Sequence, residues 1–210
     1  EATGKKKRGR KPKEPEEVVD REAKANVTDP DSRILKTRMG WKQGYNGQAM
    51  ADCDSQVIVA QDVTQEENDV HQLKPMLAKC AEQAGGTPGQ LLADAGYWSD
   101  ASAKLATAET ELFIATTKDW KQRKALREKG APRGRIPRNA TLKDRMERKL
   151  LTKRGREAYR QRGSTIEPVF GQMGTRGLRE FLLRGIGKVK AEWSLWCSTH
   201  NLLKLWRSGW

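Results

Sequence analysis

Leu91-Leu-Ala-Asp-Ala-Gly-Tyr-Trp-Ser99 is the stretch on which the fold turns. The apolar run Leu91–Ala93, preceded by Gln90, has the length and composition of a short buried strand. Asp94 ends it, Ala95-Gly96 lets the chain turn without a bulky side chain over that end, and Ser99 caps a helix with Asp100 in its first turn. Further along, Tyr159-Arg-Gln-Arg162 and Thr165-Ile-Glu-Pro-Val-Phe-Gly171 place a second carboxylate, Glu167, just after a basic run. Ser164 or Thr165 reads as the cap of its helix, and Pro168 falls in the first turn, where a missing N–H costs nothing. Taken singly, Asp94 is a turn aspartate and Glu167 a first-turn glutamate favoured by the helix dipole. Together, beside concentrated positive charge, they suit a divalent metal and a phosphodiester.

Outward from this stretch the pattern predicts a mixed α/β layout. Tyr45–Cys53 and Gln56–Thr64 read as a β-hairpin around Asp54-Ser55. Val70, Leu73, Leu77, Cys80 and Ala81 form a helix-period stripe within 68–84, closed by Gly85-Gly86. A strand at 90–93, a helix over 99–107 and a strand at 111–116 follow. Helices are expected near 119–129, 142–153 and 186–205, the last with Val189, Trp193, Trp196, His200 and Leu203 on one face. Folded structure should begin at Thr28-Asp-Pro-Asp-Ser-Arg33, a turn-rich opening.

Composition sets limits. A chain of 210 residues holds one good-sized domain or a domain with an arm. It has no run of eighteen apolar residues and so no expected membrane span. Its first residue is Glu and a charged stretch follows, which excludes a secretory signal and reads as a fragment or trimmed product. Cys53, Cys80 and Cys197 are odd in number and far apart, no C-x-x-C occurs, and there are 2 histidines. A disulfide framework and a structural zinc site are therefore not expected, and a reducing, intracellular setting fits.

The net charge of +14 is uneven. Residues 118–162 hold 18 Lys/Arg against 5 Asp/Glu, whereas residues 40–117 hold 4 against 11. An acidic part that holds cations, joined to a basic part that neutralises phosphates, is what a metal-dependent nucleic-acid enzyme needs. Residues 1–27 read as a disordered basic arm. Within it, Arg8-Gly9-Arg10 resembles an AT-hook, which lies in a narrow minor groove; a plain basic linker is the alternative. Arg133-Gly-Arg135 with Pro137 is a second groove-insertion candidate or a flexible basic loop.

Longer blocks carry a specific resemblance. Thr28-Asp-Pro-Asp-Ser-Arg33, Gln43-Gly-Tyr-Asn46, Leu92-Ala-Asp-Ala-Gly-Tyr97, Glu167-Pro-Val-Phe-Gly171, Arg176-Gly177, Phe181-Leu-Leu-Arg-Gly185, Glu192-Trp193 and His200-Asn-Leu-Leu-Lys204 occur in order from residue 28 to the C-terminus. Together they resemble one family of bacterial insertion-sequence DDE transposases. The resemblance implies a ribonuclease-H-like mixed sheet with helices. Its parts would be a first catalytic part over 28–117, a basic helical insertion at 118–162 and C-terminal helices at 163–210. It makes Asp94 the second acidic residue and Glu167 the third, both ligands of Mg²⁺ or Mn²⁺. Tyr159 and Arg162 correspond to the pair that contacts DNA phosphate before the third acid. The implied partner is double-stranded DNA, element ends and target, with a homodimer on DNA as one arrangement, in the bacterial cytoplasm at the nucleoid.

Two positions depart from the resemblance. Members often carry Lys seven positions after the third acid; here that residue is Gly174, and Arg176 is the substitute candidate. The first catalytic Asp lies, in the family, on strand one in an Asp-Gly-Thr-like motif, which does not occur in this chain. Asp29, Asp31, Asp52 and Asp54 are candidate replacements. The preferred reading is a C-terminal catalytic portion lacking its first strand. A catalytically incomplete DNA-binding remnant and a nuclease that cuts without joining are the alternatives. His200 and Cys197 read as core residues of the last helix, and Trp193, Trp196 and Trp206 as packing rather than base-stacking residues.

Overall fold

The computed structural model describes residues 26–37, 40–131 and 133–209. Arg8 and Arg10 lie outside the described residues. The described residues open with an antiparallel hairpin, β1 (Arg33–Thr37) and β2 (Gly40–Gly44). Its residues are mostly exposed, Ile34 and Trp41 among them, so it has no buried face to produce a period-2 signal and was not expected from the pattern. The hairpin read from the sequence follows as β3 (Asn46–Ala51) and β4 (Ile58–Thr64). The turn between them is held by Asp52, whose carboxylate accepts the Ser55 N–H at 2.8 Å and hydroxyl at 2.6 Å. The Ser55 bonds hold the Asp52 pKa below the ordinary carboxylate value.

A 3₁₀ turn at Asp69–His71 leads into α1 (Leu73–Ala84). Gly85, at φ 73°, ends α1 in the left-handed conformation that glycine adopts without strain. β5 (Gln90–Ala93) and β6 (Glu111–Ile114) pair in parallel, joined through the short α2 (Asp100–Ala103). Ser99 caps α2 as expected, accepting the Ser102 N–H at 2.9 Å. The helix stops at Ala103, short of Thr107, whose hydroxyl takes the N–H groups of Glu109 and Thr110 in a local turn. The remaining elements are α3 (Trp120–Lys129), α4 (Leu142–Leu151), α5 (Lys153–Thr175) and α6 (Ile186–Arg207). Among the described residues no helix is long and apolar enough to cross a membrane.

Two expectations need correction. The single mixed sheet is absent among the described residues; the strands form three two-stranded pairs, β1–β2, β3–β4 and β5–β6. Nor does a helix begin at Ser164 or Thr165. α5 starts at the Thr152 cap and runs through both, with Pro168 in its interior. The hydroxyls of Ser164 and Thr165 turn back onto the Gln161 carbonyl inside the helix. Pro168 cannot bond the Ser164 carbonyl, and the Gln56 side chain donates to that carbonyl at 2.9 Å instead. The expected boundary at 162/163 therefore falls within one helix.

α6 and α5 bury Val189, Trp193, Cys197, Val169 and Met173 against Ile58 and Val63 of β4. Trp193 is 1 % exposed, and its indole N–H donates to the Gln48 carbonyl at 2.9 Å. A second cluster packs Leu91, Ala93, Leu112 and Ile114 with Leu73 and Met146. At the α4–α5 junction Gly155 is buried, and a Cβ there would lie 2.0 Å from the Lys149 carbonyl oxygen. Backbone cannot give way cheaply, so Gly155→Ala should cost about 3 kcal/mol by urea unfolding. Gly171→Ala, in open space on the same helix, should cost nothing and is the control.

His200 is buried, with Nε2 2.9 Å from the Gln56 carbonyl and Nδ1 without a partner. Burial pushes its pKa down, the Gln56 carbonyl opposes this, and the nearby charges of Lys204 and Arg176 lower it further. The unfolded chain therefore binds this proton more readily. The His200 contribution is present above about pH 6.5 and lost as pH falls through the lower folded value. Unfolding midpoints should drop between neutral pH and pH 5, and His200→Gln should flatten that drop.

Candidate active site

Asp94 directly follows β5, and its exposed carboxylate accepts the Gly96 N–H through Oδ1 at 2.6 Å. That bond closes the Ala95-Gly96 turn and holds the side chain over the strand end. Gly96 is required by close approach. A Cβ there would lie 2.8 Å from Asp94 Oδ1 and 3.0 Å from Asp69 Oδ2, so both carboxylates face the same point.

Asp69 was not singled out in the sequence. Its Oδ1 accepts the side-chain amides of Asn46 and Gln48, each at 2.8 Å, and the Gln48 amide also donates to Asn46 Oδ1 at 2.9 Å. The Tyr97 hydroxyl donates to Gln48 Oε1. Burial, then the charges of Asp69 and Asp94, push the Tyr97 pKa up. The available signal was the pair Asn46 and Gln48, two amides on one side of a strand that need a buried acceptor.

Glu167 lies on α5, exposed, with Oε1 3.2 Å from Arg162 Nη2. The Arg162 guanidinium sits 5.9 Å from the Tyr159 ring centroid. Burial pushes the Tyr159 pKa up; the charges of Arg162 and Arg123 lower it and that of Asp94 raises it. Asp94, Asp69, Tyr97, Arg162 and Glu167 all line one cavity of about 1150 Å³.

The other candidates are spread elsewhere. Asp52 and Asp54 line the same cavity but follow the last residue of β3, whereas Asp69 is bonded to residues at its start. Asp29 accepts the Tyr45 hydroxyl at 2.7 Å and the Gly185 N–H at 3.1 Å; Asp31 accepts the Ile186 N–H at 3.0 Å. Both tie residues 29–31 to the start of α6. Burial first, then Asp29, push the Tyr45 pKa up to about 12. Arg176 ends α5 near His200 and Lys204 and does not line the cavity. Arg133 and Arg135 are exposed in the loop before α4. Trp193 is core, Trp196 is half-buried beside it, and Trp206 is 72 % exposed.

As a metal site the donor set is right in kind. Asp94 and Glu167 offer hard oxygens on one cavity, suited to Mg²⁺. It is short in number, since no group of three or more His, Cys, Asp or Glu placed to hold a metal ion occurs among the described residues.

Residues 121–206 match the family model described as Transposase DDE domain. The resemblance to DDE transposases is borne out over that C-terminal span. The matched span contains Tyr159, Arg162, Glu167 and Arg176, and it begins after Asp94. Comparison with curated proteins and with solved structures gave no match.

Proposed function

We propose that this chain is the C-terminal catalytic portion of a DNA transposase that cuts and joins DNA strands with Mg²⁺ or Mn²⁺. The observation that carries the reading is that Asp94, Glu167 and Arg162 line one cavity in a chain whose 118–162 segment is strongly basic. Asp94 and Glu167 are the residues that would hold the metal. When bound, the metal supplies a Lewis acid for the phosphoryl oxygens and activates the attacking hydroxyl. Arg162 grips a phosphate oxygen beside the scissile bond, with its guanidinium plane set by the Tyr159 ring. Its ion pair with Glu167 exchanges for phosphate when DNA arrives.

Asp94 and Glu167 are two acids of the expected three; Asp69 faces the same point as Asp94, but its Oδ1 is taken by the Asn46 and Gln48 amides. The ribonuclease-H-like reading assigns the remaining acid to a first strand outside residues 1–210, and Asp29 and Asp31 are already committed to backbone and Tyr45. Residues 1–210 should therefore bind linear duplex DNA but leave it uncut in Mg²⁺, as a gel-shift and a nicking assay on one preparation will show. Robust Mg²⁺-dependent nicking by residues 1–210 would mean that the chain's own carboxylates complete the site.

A further inference from the structure

Among the described residues β1 and β2 form a sheet of their own, bonded to each other and to no other strand. Neither strand has a buried residue. The register pairs Lys36 with Trp41 and Ile34 with Gln43, so these four side chains share one face. The Lys36 ammonium lies 5.8 Å from the Trp41 ring centroid, as that pairing requires. The opposite face carries Arg33, Leu35 and Lys42. Leu35 is half-buried, and the Arg33 guanidinium bonds back to the Pro30 and Ser32 carbonyls at 2.8 and 2.9 Å. That face therefore rests toward the rest of the chain, and the Lys36–Trp41 face looks outward. Trp41 is 64 % exposed and Ile34 49 %.

The base of this ribbon is fixed in place. Tyr45, directly after β2, donates to Asp29 Oδ1 at 2.7 Å and so joins the two ends of the ribbon. Asp29 and Asp31 fasten the same base to the Gly185 and Ile186 N–H groups. Asn46, the next residue, bonds Asp69, which faces the same point as Asp94. The ribbon therefore springs from the end of the cavity where Asp94 lies, and its five-residue strands reach roughly 17 Å from that base.

Charge selects the partner. Residues 32–51 contain 4 Lys/Arg and no Asp/Glu. Lys36 and Lys42 enter no ion pair among the described residues. Two exposed apolar side chains fall far short of the roughly 800 Å² per partner that a stable protein interface buries. A polyanion fits the charge, and a two-stranded ribbon fits the major groove of a duplex, about 12 Å wide. The outward face also holds the groups that read base edges there. Gln43 offers an amide for adenine, Lys36 a cation for guanine, and Trp41 and Ile34 apolar surface for thymine methyls. We propose that the β1–β2 ribbon is a sequence-reading element that lies in the major groove of duplex DNA. That this DNA is also the substrate of the cavity rests on the function proposed above; base reading by the ribbon does not.

The probe is a pool of duplexes of about 30 base pairs with about ten randomised central pairs, selected by gel shift at about 100 mM salt. Residues 1–210 should enrich a motif at least about tenfold over the pool. The triple variant Lys36→Ser, Trp41→Ser, Gln43→Ser should keep binding the pool through residues 118–162, weakened by less than about tenfold, with the motif missing from its selection. In the enriched duplex, removing thymine methyls or methylating guanine on its major-groove nitrogen should weaken binding by the unaltered chain roughly tenfold, a readout that needs no variant. No binding of the pool, no enriched motif, or the same motif enriched by the variant overturns the proposal. So does equal competition by single-stranded DNA, or indifference to the major-groove changes. A variant that loses the pool altogether makes the ribbon a plain phosphate contact and overturns it too. Nicking by a chain that carries the proposed upstream first strand decides the transposase reading separately. Nicking without a ribbon motif keeps that reading and removes this one, and a ribbon motif without nicking does the reverse.

Discussion

Raising salt from about 50 to about 200 mM should weaken DNA binding by this chain about a thousandfold, as expected when about six of its cations neutralise phosphates. Residues 118–162 carry 18 Lys/Arg against 5 Asp/Glu, on α3, α4, the first turns of α5 and the loop between α3 and α4. Some of these cations are engaged within the chain. Lys149 and Arg154 pair with Glu111, and Lys149 sits over the Phe113 ring at 4.3 Å. Exposed Arg133 and Arg135 are free of such ion pairs among the described residues. A slope of log affinity against log salt near −5 is expected for duplex DNA, and Arg133→Ala with Arg135→Ala should bring it up by about two. A slope near zero would remove the basic segment from the DNA interface.

Legibility in the sequence followed burial. β5 was readable to the residue because Leu91–Ala93 are apolar and bracketed by glycines, and Asp94 stood out as the polar group at its end. The β3–β4 hairpin and α6 were readable because they are well buried, β4 with Val63 against the α5–α6 side and Ala60 against the α1 side, and α6 with Val189, Trp193 and His200 on one face. The β1–β2 hairpin was not, since it buries almost nothing. α5 was misread because Ser164, Thr165 and Pro168 imitate a helix start. Only the tertiary bond from Gln56 to the freed Ser164 carbonyl shows why the helix continues. Asp69 escaped notice because its role depends on amides more than twenty residues away in sequence, at Asn46 and Gln48.

The candidate site was legible as two separate carboxylates in two separate blocks. That they face one cavity comes from packing of α5 across the end of β5, which no local pattern encodes. The neighbourhood of Glu167 is also set by the misread helix. Because α5 is continuous, Tyr159, Arg162 and Glu167 ride on one element and keep their mutual spacing, which suits the phosphate and metal roles proposed for them.

Asp94→Asn in a chain that carries the proposed upstream first strand gives the second large effect. Removing a metal-ligand charge while keeping the shape should lower Mg²⁺-dependent nicking by at least about 10³-fold, the scale of losing a main electrostatic contribution at a phosphoryl centre. DNA affinity should be unchanged or slightly raised, because a negative charge near the phosphates is gone. Glu167→Gln should behave alike, and the double variant should be no worse than either single one, since residues acting as a unit are not additive. The decisive measurement is nicking of duplex DNA by these variants, read beside their affinity. Loss of nicking in both, with binding intact, is the predicted result; nicking that survives Asp94→Asn would contradict the assignment of Asp94 and Glu167 to one catalytic site.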